Sequence, residues 1–188
     1  MKAADADDAA LLLFLVGTGC REQEAAHAEY TDFDFAHRIF TVQKKDQWGF
    51  LPKSYEARDI TLGAELVELF KERKKHATST LLFPNTTGQP DGHLLRIVKG
   101  VAFRAGLNCT KCIMGKARLS CKDNPVCKAH FTHRLRKTFA TRRHHAGTPL
   151  RDLQGMLGHE SLQTTQDYLA ESDRKDARLR EAADKASF

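Results

Sequence analysis

Long apolar stretches are missing from this chain. The longest hydrophobic run near its start, Ala9 to Val16, falls well short of the ~20 residues that a membrane-spanning helix needs. The ADADD segment just before it is acidic where a secretory signal requires positive charge, so the protein reads as cytoplasmic. No GxxxxGK[ST] stretch occurs, which excludes a phosphate-cradling P-loop and the nucleotide hydrolysis that goes with it. Tryptophan occurs once, as Trp48, and outside residues 109–127 cysteine occurs once, as Cys20, which reads as a small buried hydrophobe.

What is present suffices for one substantial core: 188 residues, of which 41% are hydrophobic. Lys and Arg outnumber Asp and Glu by 30 to 24, a formal charge of +6 that suits a nucleic-acid partner without requiring one. Periodicity gives an α+β chain, mainly helical. A helix over 6–16 is broken by GTGC at 17–20, and a second, REQEAAHAEY, starts at Arg21. Phe33–Phe35, Ile39–Gln43 and Arg58–Leu62 have the alternating, aromatic and β-branched character of strands, so a small three-stranded antiparallel sheet follows. The connection from Lys44 to Ala57 is long and irregular, with Trp48, Gly49 and Pro52. Ala64–His76 and His93–Ala105 are amphipathic helices, and TLLFP at 80–84 lies between them as a short buried strand or turn.

The chemistry concentrates between Phe131 and Ala170. From Phe131 to Arg151 there are six Lys or Arg and no Asp or Glu, an excess suited to a polyanion. Thr132 can cap a helix that places His133 and Arg136 together on one polar face. Thr148 and Pro149 open another helix with Leu150, Leu153 and Leu157 inward, and Gly158 suits the left-handed residue that ends it. Ser161 can cap a third helix, with Leu162, Thr165 and Leu169 inward and Tyr168 on a different side.

Taken singly, each His or Tyr here would pass as structural, and a basic helical face as merely solvated. Their joint spacing is more specific. HxxR, then LGH, then TTxxY with its Tyr nine residues after that His, resembles the active-site pattern of the tyrosine recombinases, the phage-integrase family of DNA strand transferases. The stretch from Gly17 to Phe35 resembles the family's first arginine box through Arg21 and Glu24, with Ala28 and Tyr30 departing from the commoner residues. PKSYEARDITL resembles the family's β-hairpin, matching Lys53 and Arg58; Lys44 and Lys45 are rival lysines. The likeness covers about residues 8–170.

That resemblance implies a fold and a mechanism. The fold is the tyrosine recombinase catalytic domain over residues 1–170, with a charged helical tail at 171–188 that docks on a neighbouring protomer or frays. The N-terminal core-binding domain usual in the family is expected to be absent. Tyr168 would attack a DNA phosphodiester, giving a 3′-phosphotyrosyl enzyme and a free 5′-hydroxyl. Arg21 and Arg136 would meet the non-bridging oxygens with permanent, bidentate charge, so no catalytic cofactor is needed. His133 would accept a proton from Tyr168 or donate to the phosphate, His159 would hydrogen-bond the phosphate, Lys53 would protonate the leaving 5′-oxygen, and Glu24 would orient Arg21. The partners expected are double-stranded DNA and further copies of the chain upon it. The competing expectation is a truncated or degenerate family member that acts as a zinc-stabilised DNA-binding module without recombination.

Cys109, Cys112, Cys121 and Cys127 stand apart from this pattern. In a reducing cytoplasm such a cluster favours metal over disulfides. CxxC lets two thiolates converge from one tight turn, and a distant pair closes a tetrahedral zinc site. His130 is an alternative fourth ligand. The reading is a structural zinc insert over 107–130, just before the HxxR helix; four unligated thiols are the alternative.

Overall fold

Helix α1 (Ala6–Thr18) starts where Asp5 accepts a hydrogen bond from the Asp8 amide, and Asp7 and Asp8 complement the positive end of its dipole. It ends at Gly19, which stands at φ 66° with its amide bonded to the Leu15 carbonyl. A side chain there would be excluded twice, since a Cβ would also fall 2.5 Å from the Phe139 ring. The structure, a computed structural model, describes residues 3–107, 109, 111–112, 120–123, 127 and 132–173, excepting the side chains at 167, 168 and 170–173.

The core is built around α1. Phe14 is fully buried and meets Phe40, Phe70 and Phe83 edge-on at centroid distances of 5.1, 5.6 and 5.5 Å. Those three rings belong to the sheet, the next helix and the TLLFP segment, so one side chain ties four segments together. The sheet comprises β1 (Phe33–Asp34), β2 (Ile39–Val42) and β3 (Arg58–Thr61), antiparallel in the order β1-β2-β3. Phe40 opposes Ile60 and Val42 opposes Arg58, and all four point inward as period-2 alternation requires. Helix α3 (Ala64–Lys75) buries Leu66, Val67 and Phe70. Helix α4 (Leu94–Arg104) buries Leu94, Val98 and Val101. Three helices follow: α5 (Thr132–His145) against α1, then α6 (Leu150–Leu157) and α7 (Leu162–Asp173), each packed on α5 and on one another. This is the mainly helical α+β architecture expected. Among the described residues no helix is long and apolar enough to cross a membrane.

The helix after Arg21 departs from expectation. Helix α2 is only Glu22–Ala26, where the sequence pattern suggested a helix through Tyr30. The chain leaves helical conformation because Ala28 and Tyr30 bond in β fashion to the TLLFP segment: Leu82 donates to the Ala28 carbonyl at 2.8 Å and Tyr30 to the Thr80 carbonyl at 2.9 Å. Glu29 is held there by Lys45, Trp48 and Thr80. Two further corrections concern the C-terminal helices. Thr132 lies within α5 rather than capping it, and Leu162 is exposed, leaving Thr165 and Leu169 as the buried positions among the described side chains of α7. The capping role of Ser161 does appear: its hydroxyl accepts from the Thr164 amide at 3.2 Å.

Candidate active site

Four segments far apart in sequence meet where α2, α5 and α6 converge. Of the polar pair His133 and Arg136, Arg136 is 1% exposed, inside the core, while His133 is exposed at the surface beside it. The reason is its partners. The Arg136 guanidinium donates to the Gly19 carbonyl at 2.6 Å and to the Leu157 carbonyl, two helix C-termini whose last carbonyls lack helical partners. Gly158, at φ 59°, turns the chain out of α6 just there, in the left-handed conformation anticipated for it. A Cβ on Gly158 would come within 3.1 Å of Arg58.

Arg21 caps α2 from the other side. Its guanidinium donates to Glu24 Oε1 at 2.9 Å and reaches the Gly158 carbonyl at 3.4 Å, while its own amide donates to Glu24 Oε2 at 2.7 Å. Glu24 is 4% exposed and receives Arg58 as well, in a bidentate pair at 3.0 and 2.5 Å. Burial alone would raise the Glu24 carboxyl, but the Arg58 and Arg21 guanidiniums overcome it and hold its pKa at about 2. Arg58 also donates to the Met156 carbonyl at 2.9 Å, which fastens β3 to the end of α6.

His159 follows Gly158 and lies in the same positive field. Its Nδ1 meets the Thr165 hydroxyl at 3.0 Å, and Gln154 secures the backbone on both sides: the His159 amide donates to the Gln154 carbonyl and the Gln154 side chain to the His159 carbonyl. Burial, then the charges of Arg136 and Arg21, lower its pKa to about 4, so the imidazole is neutral at pH 7. His133 is lowered by the same causes, in the same order. Two guanidiniums and two neutral imidazoles thus converge, an arrangement that favours an oxyanion. Cys20, buried beside Glu24, has its thiol pushed up to about 12, mainly by burial, which makes it chemically inert.

Lys53 lies elsewhere, exposed on the loop between β2 and β3. That loop borders the site: Ser54, Glu56 and Ala57 line one cavity of about 430 Å³ together with Gly158 and His159. Of the rival lysines, Lys45 is 6% exposed and pairs with Glu29 at 2.8 Å and Asp32 at 2.5 Å, so it is committed to the core. Lys44 is exposed against Asp46. Tyr168 is on α7, two turns beyond Leu162, and its side chain lies outside the described residues. Sequence reasoning matched Arg58 to the family's hairpin arginine without giving it a role at the site, and took Thr165 as packing. A basic residue at an inward position of β3 was the available signal for the first.

The sequence pattern of the Phage integrase family matches residues 1–175. The chain belongs to this family. Curated relatives include the tyrosine recombinase XerC of Oceanobacillus iheyensis, 36% identical over 86% of this chain, and the tyrosine recombinase XerD of Bifidobacterium longum, 33% identical over 86%. The chain spans about half the length of these relatives, 48% of each. Among solved structures, the XerA recombinase superposes with a TM-score of 0.66 at 23% identity, covering 96% of this chain and 56% of that one. The XerH site-specific recombinase, in a post-cleavage complex with its palindromic difH substrate, superposes with a TM-score of 0.64 at 26% identity, covering 95% of this chain and 45% of that one.

The four cysteines also come together. The Sγ atoms of Cys109, Cys112, Cys121 and Cys127 all lie within 4.8 Å of one another, with Cys109 at 3.3, 3.4 and 3.9 Å from the other three. Tetrahedral zinc with Zn–S bonds of about 2.3 Å separates its sulfurs by roughly 3.8 Å, so the cluster has the dimensions of a metal site. A disulfide, at about 2.05 Å, would be far shorter, and none of the four is joined in one. His130, the alternative ligand, lies outside the described residues.

Proposed function

We propose that residues 1–170 are the catalytic domain of a site-specific DNA recombinase that cleaves and rejoins strands through a 3′-phosphotyrosyl intermediate. The observation that carries this reading is the convergence of Arg21, His133, Arg136 and His159, on a scaffold of helix ends, in a chain of the integrase family. A phosphodiester placed there would meet the Arg21 and Arg136 guanidiniums at its non-bridging oxygens, where charge accumulates as the phosphorus becomes pentavalent. Arg136 is preorganised for this by the Gly19 and Leu157 carbonyls, and Arg21 by Glu24.

Tyr168 supplies the nucleophile. Its phenol proton passes to the neutral His133, the phosphorus–O5′ bond breaks as the phosphotyrosine bond forms, and Lys53 gives its proton to the departing 5′-oxygen. A Thr165 hydroxyl donating to Nδ1 leaves the His159 proton on Nε2, the tautomer that can hydrogen-bond a phosphate oxygen. Reversal with a different 5′-hydroxyl rejoins the strands, and the phosphotyrosine conserves the bond energy. No step needs a metal. Double-stranded DNA is the substrate, further copies of the chain assemble on it, and the segment from residue 171 onward contributes to that assembly. Cys109, Cys112, Cys121 and Cys127 hold one structural zinc, which fixes the 107–130 insert ahead of α5. With four protein ligands it has no open position for chemistry.

The test is covalent capture. The protein is mixed with DNA carrying a nick beside the scissile phosphate, so that the short cleaved strand diffuses away and religation fails. A denaturation-resistant protein–DNA adduct through Tyr168 is the expected result. Tight DNA binding with no adduct on any integrase-type substrate would instead favour a zinc-stabilised binding module.

A further inference from the structure

The loop that carries Lys53 contains a residue with no role in the fold. Tyr55 stands at φ 60°, a left-handed conformation that disfavours any residue bearing a side chain and suits Gly or Asn. The turn itself is made by the backbone, the Tyr55 amide donating to the Pro52 carbonyl at 2.9 Å. The ring contributes nothing to it: the side chain is 78% exposed and makes no hydrogen bond among the described residues. An aromatic ring kept in water, on strained backbone, stabilises neither the loop nor the core. Its neighbours Leu51, at 49%, and Lys53 are exposed too, and the adjoining Ser54, Glu56 and Ala57 share a cavity with His159.

The loop's own charge gives it little hold on DNA, although exposed Arg151 lines the cavity beside it. Lys53 is the only cation between Leu51 and Ala57, and exposed Glu56 offsets it. A non-ionic contact from the loop itself would keep the Lys53 ammonium near a leaving oxygen. Every nucleobase offers a π-face to an aromatic ring, and deoxyribose offers an apolar one. We propose that Tyr55 is that contact: its ring packs on a base or sugar next to the phosphate bound at His159, and thereby sets the reach of Lys53. Tyr55 is then a positioning residue, and the inference rests on the DNA-cleaving function proposed above.

The experiment measures binding of the full 188-residue chain to a 30-base-pair duplex with a central nick, over a series of salt concentrations, alongside thermal melting. Tyr55→Gly relieves the backbone, so its melting temperature equals or exceeds that of the parent, while DNA affinity falls roughly 5- to 150-fold, the range for losing one base–aromatic stack. Because no charge is removed, the dependence of log affinity on log salt keeps its slope; Lys53→Ala lowers that slope by about one. Tyr55→Phe keeps the ring and binds like the parent. Unchanged affinity in Tyr55→Gly, or an equal loss in Tyr55→Phe, would overturn the inference while leaving the proposed function intact. A parent chain with no affinity for DNA at low salt would overturn both.

Discussion

Glu24 offers the sharpest quantitative check on the site's construction. It is buried between two guanidiniums, and its carboxyl has a pKa of about 2 against 4.5 for the free side chain. At 1.36 kcal/mol per pKa difference of one, the ionised form contributes about 3 kcal/mol to stability at neutral pH. That agrees with the roughly 3–5 kcal/mol expected when one partner of a buried ion pair is removed and the other stays charged. Glu24→Gln keeps the shape and loses the charge, so at pH 7 it should unfold about 3 kcal/mol more easily. With a urea slope of about 2 kcal/mol per molar, the midpoint should fall by roughly 1.5 M. The folded pKa is depressed, so as pH falls below 4.5 the unfolded chain takes up this proton first, and the parent loses the Glu24 contribution progressively until about pH 2. Other acidic groups titrate equally in both proteins and cancel in the difference. Urea unfolding curves for parent and variant should therefore be about 3 kcal/mol apart from pH 5 to 8 and converge toward pH 2. A constant gap across that range, or no gap at pH 7, would refute the account of Glu24 as an ionised anchor.

The remaining expectations concern the chemistry and the cysteines. Tyr168→Phe should abolish covalent capture in the nicked-DNA assay yet leave non-covalent affinity nearly unchanged, because one hydroxyl matters little beside several phosphate contacts; an adduct that persists would reassign the nucleophile. Lys53→Ala should slow cleavage strongly and recover most of its rate on DNA whose 5′-bridging oxygen is sulfur, a leaving group that needs no proton. Lys45→Met, by contrast, should destabilise the fold by breaking the pair with Glu29 and Asp32, with no sulfur rescue; the opposite pattern would exchange the two lysines' roles. Purified protein should carry about one zinc per chain, and Cys127→Ser should lower that content and the thermal stability together. Metal-free protein of full stability and activity would count against the site.

The sequence revealed most where a property depends on neighbours a few residues away. Alternation in β2 and β3 put Phe40, Val42 and Ile60 inward, and the position of Gly158 after a Leu-periodic helix announced its left-handed turn. The HxxR and LGH spacings pointed to segments that the fold brings together, α5 and the end of α6. What escaped was decided by partners far along the chain. Helix α2 stops early because Ala28, Glu29 and Tyr30 are claimed by residues between 45 and 82. Arg136 is buried because two distant carbonyls await it, and no local pattern distinguishes such an arginine from a solvated one. Arg58 matched a hairpin arginine, but nothing local announced its ties to Glu24 and Met156. Leu162 seemed inward because helical period alone cannot say where a helix leaves its neighbours.

The guanidinium contacts also bear on the making of the protein. Arg136 reaches back 117 residues to Gly19, Arg58 forward 98 to Met156, and Arg21 forward 137 to Gly158. Translation delivers Arg21, Glu24 and Arg58 early and they can pair with one another, yet the Met156 and Gly158 carbonyls that tie them to the rest of the site arrive only when α6 has emerged from the ribosome. A nascent or prematurely terminated chain ending before Leu157 therefore lacks the α6 carbonyls that hold Arg136 and Arg58, and lacks Tyr168. Under the function proposed above, DNA cleavage would then become possible only once α6 and α7 have been made.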